Sequence, residues 1–428
     1  MTRRDPVEIK VGYPALPGLA DRFEQRTVTP KEGDAPPWDA TTKFTHVGTD
    51  VDRVDGLAKA SGRAKYTYDI TFPGMLQAMI LRSPIARGKL TGLELDEAAR
   101  MPGIGAVVAL KEVGNKIRFV GDAIAAVAGQ TMHQVRDAIE KIRASWEAEE
   151  HNVDYVVAND APLLNAGRVD EPWPEAAELD AALAAAKVTH EATFRTEVQT
   201  HSSLETHGGV AKWNGNELDL WLSTQATFGC RGELMRALQG KGIDIAALTL
   251  HAEFVGGGFG SKFSAGIEGL AVCLLAHAAK APVKLMLDRF EEHTTTGNRP
   301  GCLIQARAGV DDKGKIVAWD WRSWGHAGFT GSGGVSSPNY YTQGAKKRQT
   351  HKDLNIDADP PRPMRAPGHP QGWFGAELFL DELAAKAGLD PLAFRLANDV
   401  ETIRQDQWRF AAAKFGWEAG RARKNEPG

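Results

Sequence analysis

Residues 255–262 read Val-Gly-Gly-Gly-Phe-Gly-Ser-Lys. The glycines Gly256, Gly257, Gly258 and Gly260 let backbone approach a ligand closely and take positive φ. Their N–H groups, with the start of a following helix, make an anion pocket, and Lys262 adds a point charge. Two familiar phosphate-binding patterns fail. A Gly-x4-Gly-Lys-Ser/Thr loop would need glycine at Ser261 and a hydroxyl residue at Phe263. The Gly-x-Gly-x-x-Gly fingerprint would need glycine at Ser261. A nucleotide-binding enzyme is therefore disfavoured. The loop reads as a holder of a phosphate or oxyanion in another mode, or as a tight turn with no ligand.

Three further stretches carry usable chemistry. Ser223-Thr224-Gln225 ends a predicted strand, and its primary amide could donate to an oxo group or carbonyl; alone the motif is weak, since such a cluster is usually just a helix cap. Met364-Arg-Ala-Pro-Gly368 fixes a turn before a helix carrying Glu377, Asp381 and Glu382. It presents Arg365 to a phosphate or carboxylate, or pairs it with an acidic neighbour. His201 and His207 share a strand face at their even spacing. They stand too far apart for one metal and read as pocket-wall or packing residues.

Elements must position these groups. Strands are predicted at 65–70, 75–81, 104–110, 123–128, 217–223, 249–255, 283–287, 303–310 and 316–323. Helices are predicted at 133–146, with Thr131 as N-cap, and at 227–238, 267–280 and 372–387. Another begins after Asp390 with Pro391 in its first turn, and one surrounds Trp408–Trp417. Residues 328–345 are rich in Gly, Ser, Pro and Asn and read as a long loop. Strands and helices mix without a clean βαβ alternation, so the fold class is α+β. Four regions emerge: an extended N-terminal arm at 1–45, a small α+β domain at 46–150, a linker at 151–185 and a second unit at 186–428.

Composition bounds the rest. The chain has 428 residues, enough for two or three domains, with 42% hydrophobic and 25% charged residues. A net charge of -4 does not favour nucleic acid as partner. Glycine, at 45 residues, exceeds the usual share of about 7% and falls in short clusters. The three cysteines are far apart, which disfavours a zinc site, an iron–sulfur cluster or a disulfide framework on this chain. No secretory leader and no membrane-spanning segment is read, and a cytoplasmic location is expected, with export alongside a folded partner as the alternative.

The order Ser223-Thr-Gln225, Gly256–Lys262, Asn298-Arg299, Met364–Gly368 and Asp381-Glu-Leu-Ala384 resembles the molybdenum-binding subunit of the xanthine dehydrogenase and aldehyde oxidase family, bacterial type. Gly56–Tyr66, Ser83-Pro84 and 120–140 are similar to the α/β hammerhead domain of that family. The likeness covers roughly 46–400 and implies a hammerhead domain followed by the first molybdopterin-binding domain. It implies a molybdenum–molybdopterin cofactor, in plain or dinucleotide form, held through its pterin dithiolene with no direct protein ligand to the metal. Gln225 would bond an oxo ligand of the metal. Phe259, with the backbone of Gly257, Gly258 and Gly260, would lie against the ligand sphere and pterin. Arg365 would approach the metal centre. Arg299 falls where purine-oxidising relatives orient substrate, and Phe263 stands where they carry a glutamate, which points to an aldehyde or other apolar substrate.

The family continues into a second cofactor domain that carries the catalytic base, a glutamate. No catalytic residue is therefore assigned to this chain. The expected function is one component of an oxidoreductase that hydroxylates an aldehyde or N-heterocycle with oxygen from water. A separate chain would complete the site, and iron–sulfur and FAD subunits would carry the electrons. The rival is a non-catalytic scaffold or truncated remnant of such a subunit.

Overall fold

The computed structural model describes residues 5–14, 20–35, 37–153, 176–337 and 340–423. In chain order its elements are β1 (Val7–Tyr13), β2 (Arg22–Val28), α1 (Gly56–Ala60), β3 (Leu76–Arg82), β4 (Gly88–Glu94), α2 (Asp96–Ala99), β5 (Ile104–Ala109), β6 (Lys116–Ile117), β7 (Ala123–Gly129), α3 (Met132–Lys141) and β8 (Arg143–Ala148). Then come α4 (Ala176–Ala185), β9 (Val188–Thr196), β10 (Gly208–Asn214), β11 (Glu217–Leu222), α5 (Thr227–Gly240), β12 (Ala247–His251), α6 (Gly266–Ala279), β13 (Val283–Met286) and α7 (Arg289–Thr294). The chain continues through β14 (Cys302–Val310), β15 (Ile316–Gly328), β16 (Lys346–Asn355), α8 (His369–Lys386), α9 (Pro391–Asn398), α10 (Thr402–Phe415) and α11 (Trp417–Arg423).

A seven-stranded sheet in the order β12-β11-β10-β13-β3-β7-β5 crosses the expected division between the two units. The join is the parallel pair β13–β3, with Val283 opposite Leu76 and Leu285 opposite Ala78. Helix α6 lies across this sheet, and its Val272 and Leu275 share a core with Ala78, Ile80 and Ala126 from the first unit and Leu218, Leu220 and Leu285 from the second. The two units therefore have one common core. A four-stranded sheet, β16-β15-β14-β9, packs against α8 through Ile304, Trp319, Trp321, Phe379 and Leu383. A small sheet, β6-β4-β8, closes the first unit.

Several expectations change. Residues 65–70 are not a strand: Thr67–Asp69 forms a 3-10 turn, because the Asp69 carboxylate accepts the Tyr66 N–H (3.0 Å) and closes the chain locally. Thr131 does cap α3, accepting from the Gln134 N–H (3.3 Å). That helix stops at Lys141 rather than reaching Trp146. From Arg143 the side chains alternate, Ala144 and Trp146 turning in beside Leu90 and Ile117, so β8 pairs with β4 instead. Strand β12 ends at His251, short of residue 255. Asp390 caps α9 as expected, accepting from the Ala393 N–H (2.7 Å).

Residues 154–175 of the expected linker lie outside the described residues. Residues 176–185 are helical, with Leu179 and Leu183 buried against Ala318. The N-terminal arm contains an antiparallel hairpin, β1–β2. It docks on the far end of the chain: Arg22 Nε donates to Asp406 Oδ2 (2.7 Å), and Tyr13 Oη donates to the same oxygen (3.3 Å). The described part of 328–345 is irregular beyond Gly328, as the loop reading requires, with Pro338 and Asn339 outside the described residues.

Candidate functional site

The glycine loop hangs between β12 and α6, pressed against three other segments. Gly256 is bonded twice to Glu205, whose N–H donates to the Gly256 carbonyl (3.1 Å) while the Gly256 N–H donates to the carboxylate oxygen Glu205 Oε2 (2.8 Å). A Cβ at Gly256 would lie 2.4 Å from the Glu205 Cβ. At Gly258 it would lie 2.4 Å from Gln225 Oε1, and at Gly260, whose φ is +113°, 2.2 Å from the Pro363 carbonyl. Gly256 and Gly260 are thus demanded by the protein's own packing, before any ligand is considered, and Gly258 leaves room for the Gln225 side chain. The N–H groups of Gly257, Gly258 and Phe259 donate to no protein group among the described residues.

Gln225 is placed from two directions. Its backbone N–H donates to the Lys262 carbonyl (2.8 Å), and its Oε1 accepts the Gly260 N–H (2.8 Å). A backbone N–H can only donate, so Oε1 must face Gly260 and the amide NH2 must face outward. The side chain is exposed, and its two donors are ready for an acceptor on the open side. The expected Gly260 N–H contact to a ligand is replaced by this bond to Gln225.

The Met364–Gly368 turn closes the third side. The Arg365 N–H donates to the Phe259 carbonyl (2.8 Å). Arg365 itself is exposed. Arg299, expected to orient substrate, is buried: its guanidinium donates to the Arg365 carbonyl (2.8 Å) and, at 3.4 Å, to the Ala366 carbonyl and Gln371 Oε1. Carbonyls freed by a tight turn need donors, and the arginine fork supplies them, so Arg299 holds the turn. Arg362 does the same for the loop, donating to the Ser261 carbonyl (3.1 Å). Beside the turn lies a cavity of about 470 Å³, lined by Arg299, Arg362, Met364, Ser336 and Gln371 among others.

Backbone strain gathers here. Among the described residues, four that are not glycine have positive φ, and three of them are Ser202 (49°), Phe259 (53°) and Ala366 (60°). Ser203, next to the first, approaches Gly257; Phe259 and Arg365, next to the last, are hydrogen-bonded. Such conformations cost about 1–3 kcal/mol each and persist where surrounding contacts impose them.

Lys262 is not the point charge expected in the pocket. It is fully buried on the far side of the loop, donating from Nζ to the Glu205 carbonyl and to Ser223 Oγ (2.7 Å each). Burial lowers its pKa, opposed by the Glu205, Glu292 and Glu268 carboxylates. The start of α6 is likewise taken: the Ala265 N–H donates to Glu233 Oε2 (3.0 Å), and Glu268 is buried in the first turn. Phe263 is half exposed beside the loop. The two histidines do not share a strand face, because residues 200–207 are irregular. His201 Nε2 donates to the Pro363 carbonyl (2.8 Å), and burial lowers its pKa. His207 bonds Glu292 through both its backbone N–H (2.9 Å) and Nδ1 (2.8 Å). Glu205 was invisible as a site residue: nothing in the run His201–His207 distinguishes one carboxylate as the anchor of a loop 50 residues away.

The sequence profile of the molybdopterin cofactor-binding domain matches residues 167–399, and that of the aldehyde oxidase and xanthine dehydrogenase a/b hammerhead domain matches 61–116. The chain belongs to this family. Its similarity to the aldehyde oxidoreductase molybdenum-binding subunit PaoC of Escherichia coli K12 is 33% identity over 402 residues, covering 87% of this chain and 54% of that protein. It is 28% identical over 379 residues to the nicotinate dehydrogenase large molybdopterin subunit of Eubacterium barkeri, covering 81% of this chain and 87% of that one. The chain of this family member spans about half the length of most of the curated relatives it matches. Among solved structures, quinoline 2-oxidoreductase from Pseudomonas putida 86 superposes with a TM-score of 0.75 at 22% identity, over 90% of this chain and 56% of that one. The aldehyde oxidoreductase from Desulfovibrio gigas gives 0.73 at 21%, over 88% and 47%. These likenesses establish the fold of the family: a hammerhead region followed by a molybdopterin-binding domain.

The residues present fit a pterin-held metal. The loop offers N–H groups with no protein acceptor among the described residues at Gly257, Gly258 and Phe259, an amide at Gln225 oriented by the Gly260 N–H, and a half-exposed aromatic ring at Phe259. Among the described residues no cluster of His, Cys, Asp or Glu could hold a metal ion by itself.

Proposed function

We propose that this chain supplies the hammerhead region and one wall of the cofactor site in a molybdenum hydroxylase acting on an aldehyde or N-heterocycle. The observation that carries the reading is the Gln225 amide, whose orientation is dictated by the Gly260 N–H and which has both donors turned to the open side. When bound, the cofactor supplies the redox chemistry that takes two electrons from a substrate C–H while the oxygen comes from water. The chain's own residues bind and orient. Gln225 would donate to an oxygen of the bound cofactor, the N–H groups of Gly257, Gly258 and Phe259 would hold the pterin, and the Phe259 ring would exclude water. Arg365 is carried to the metal centre by its bond to the Phe259 carbonyl. Phe263 leaves no hydrogen-bonding group where a purine edge would need one, which favours an apolar substrate.

No base is assigned to this chain, and that role would fall to a residue of a completing chain. Support for such a chain comes from two directions. Leu204, Phe228, Phe259, Phe263 and Phe290, on the loop and the segments that support it, are all exposed, which is the mark of a surface awaiting cover. The Eubacterium relative named as a large molybdopterin subunit is itself scarcely longer than this chain's match to it. Electrons would leave through iron–sulfur and FAD subunits. Among the described residues no helix is long and apolar enough to cross a membrane. The cysteines Cys230, Cys273 and Cys302 are buried and unpaired, as suits a cytoplasmic protein.

The test is metal and pterin analysis of the protein isolated with its native partners. Molybdenum and pterin in a near one-to-one ratio with this chain, with oxidation of an aromatic aldehyde, are the expected result. A complex free of pterin overturns the reading and leaves a scaffold.

A further inference from the structure

Behind the glycine loop runs a buried line of polar groups that the cofactor reading does not use. Lys262 Nζ donates to Ser223 Oγ (2.7 Å), and Ser223 Oγ donates to Glu205 Oε2 (2.8 Å). An ammonium has only donors and a carboxylate only acceptors, so the direction of both bonds is determined. All three residues are less than 10% exposed. The same residues hold the site through their backbones. The Lys262 carbonyl takes the Gln225 N–H (2.8 Å) and Thr224 Oγ1 (2.9 Å), while Glu205 bonds Gly256 with its N–H and its carboxylate. The Gln225 backbone thus hangs from one end of the line, and the first glycine of the loop from the other.

Two buried opposite charges joined through a hydroxyl are an inefficient way to stabilise a fold, since apolar replacements of equal volume often do as well or better. Its distinctive effect is geometric, because both charges must keep their partners. We infer that Lys262, Ser223 and Glu205 form a positioning relay that holds the Gln225 amide and the Gly256–Gly260 backbone at a fixed separation, so that pterin retention depends on buried charges that do not touch the pterin. This rests on the cofactor reading above.

The experiment uses the protein isolated with its native partners, as wild type, Ser223→Ala, Glu205→Gln, Lys262→Met and the Glu205→Gln/Lys262→Met pair. Bound pterin is followed by fluorescence after oxidative release during prolonged buffer exchange, alongside the thermal unfolding midpoint. Ser223→Ala and Glu205→Gln are near-isosteric and should speed pterin loss about tenfold, the equivalent of one hydrogen bond to a charged group. The double variant should retain pterin better than the product of its single effects, since both charges leave together. If Lys262→Met does not fold, Ser223→Ala and Glu205→Gln decide the matter. Pterin-loaded wild type with unchanged retention in those two variants overturns the relay alone, as does pterin loss that merely follows the fall in midpoint. Wild type without pterin overturns the cofactor reading and the relay with it.

Discussion

Replacing Gly258 by alanine tests how the Gln225 amide is set. Gly258 does not have the positive φ that would penalise a side chain, so the added methyl acts only through contact. It would lie 2.4 Å from Gln225 Oε1 and 2.7 Å from its Cδ, and both belong to an exposed, flexible side chain. Gln225 can swing away, but doing so gives up its bond to the part-buried Gly260 N–H. Leaving that donor unsatisfied costs about 1–3 kcal/mol. Reduced freedom of the unfolded chain returns about 0.4–1 kcal/mol. The net expectation is a loss of about 1–2 kcal/mol, read as a shift in the denaturant midpoint at constant slope. In a Gln225→Ala background the methyl meets no amide and the donor is already unpaired. There the same substitution should be neutral or stabilising by up to about 1 kcal/mol. Equal costs in the two backgrounds would refute the claim that Gly258 exists to make room for Gln225. Pterin content should fall in each single variant, because each displaces or deletes the outward amide.

Other outcomes follow from the same geometry. Gly260→Ala combines a φ of +113° with a 2.2 Å approach to the Pro363 carbonyl, which cannot swing aside; a loss of about 3 kcal/mol or more is expected, and a melt no worse than that of Gly258→Ala would contradict it. Arg299→Met leaves the Arg365 and Ala366 carbonyls without their donor and should cost about 2–3 kcal/mol, with faster proteolysis at 364–366; unchanged proteolysis would return Arg299 to a substrate role. Asp359, which accepts the Gly297 N–H (2.6 Å), has its pKa pushed up from 3.8 to about 6 by burial, with Arg362 opposing. The fold therefore favours the protonated acid: the contribution is complete below the ordinary value and lost as pH rises through about 6. Asp359→Asn cannot ionise, so its melting advantage over wild type should grow from about pH 4.5 to about pH 7.5; a constant difference across that window would rule the titration out.

What could be read from sequence divides along a physical line. The order of Gln225, the glycine loop and Arg365 was legible because each lies in a short segment whose backbone path follows from residue type. Where a charge is buried was not. Lys262 and Arg299 look in sequence like groups offered to a ligand, yet both are spent on carbonyls of the chain itself. Helix α3 was overrun because a helical period and a strand alternation both fit Val135–Trp146 until Trp146 finds Leu90 across the sheet. Strand β16, Lys-Lys-Arg-Gln-Thr-His-Lys-Asp-Leu-Asn, has almost no apolar signal and exists because β15 offers it a parallel edge. Partners distant in sequence decided each of these cases.

The parallel join of β13 to β3 has a consequence for how such a protein changes over generations. The hammerhead and cofactor regions carry separate family profiles, as though they were interchangeable parts. Yet a recombination point between them would cut a hydrogen-bonded ladder and split the core beneath α6. Either fragment would expose a fresh strand edge. The two regions are therefore expected to be inherited together, with substitutions on one side of the ladder compensated on the other. A subunit boundary between separately encoded chains is expected only where no strand is shared.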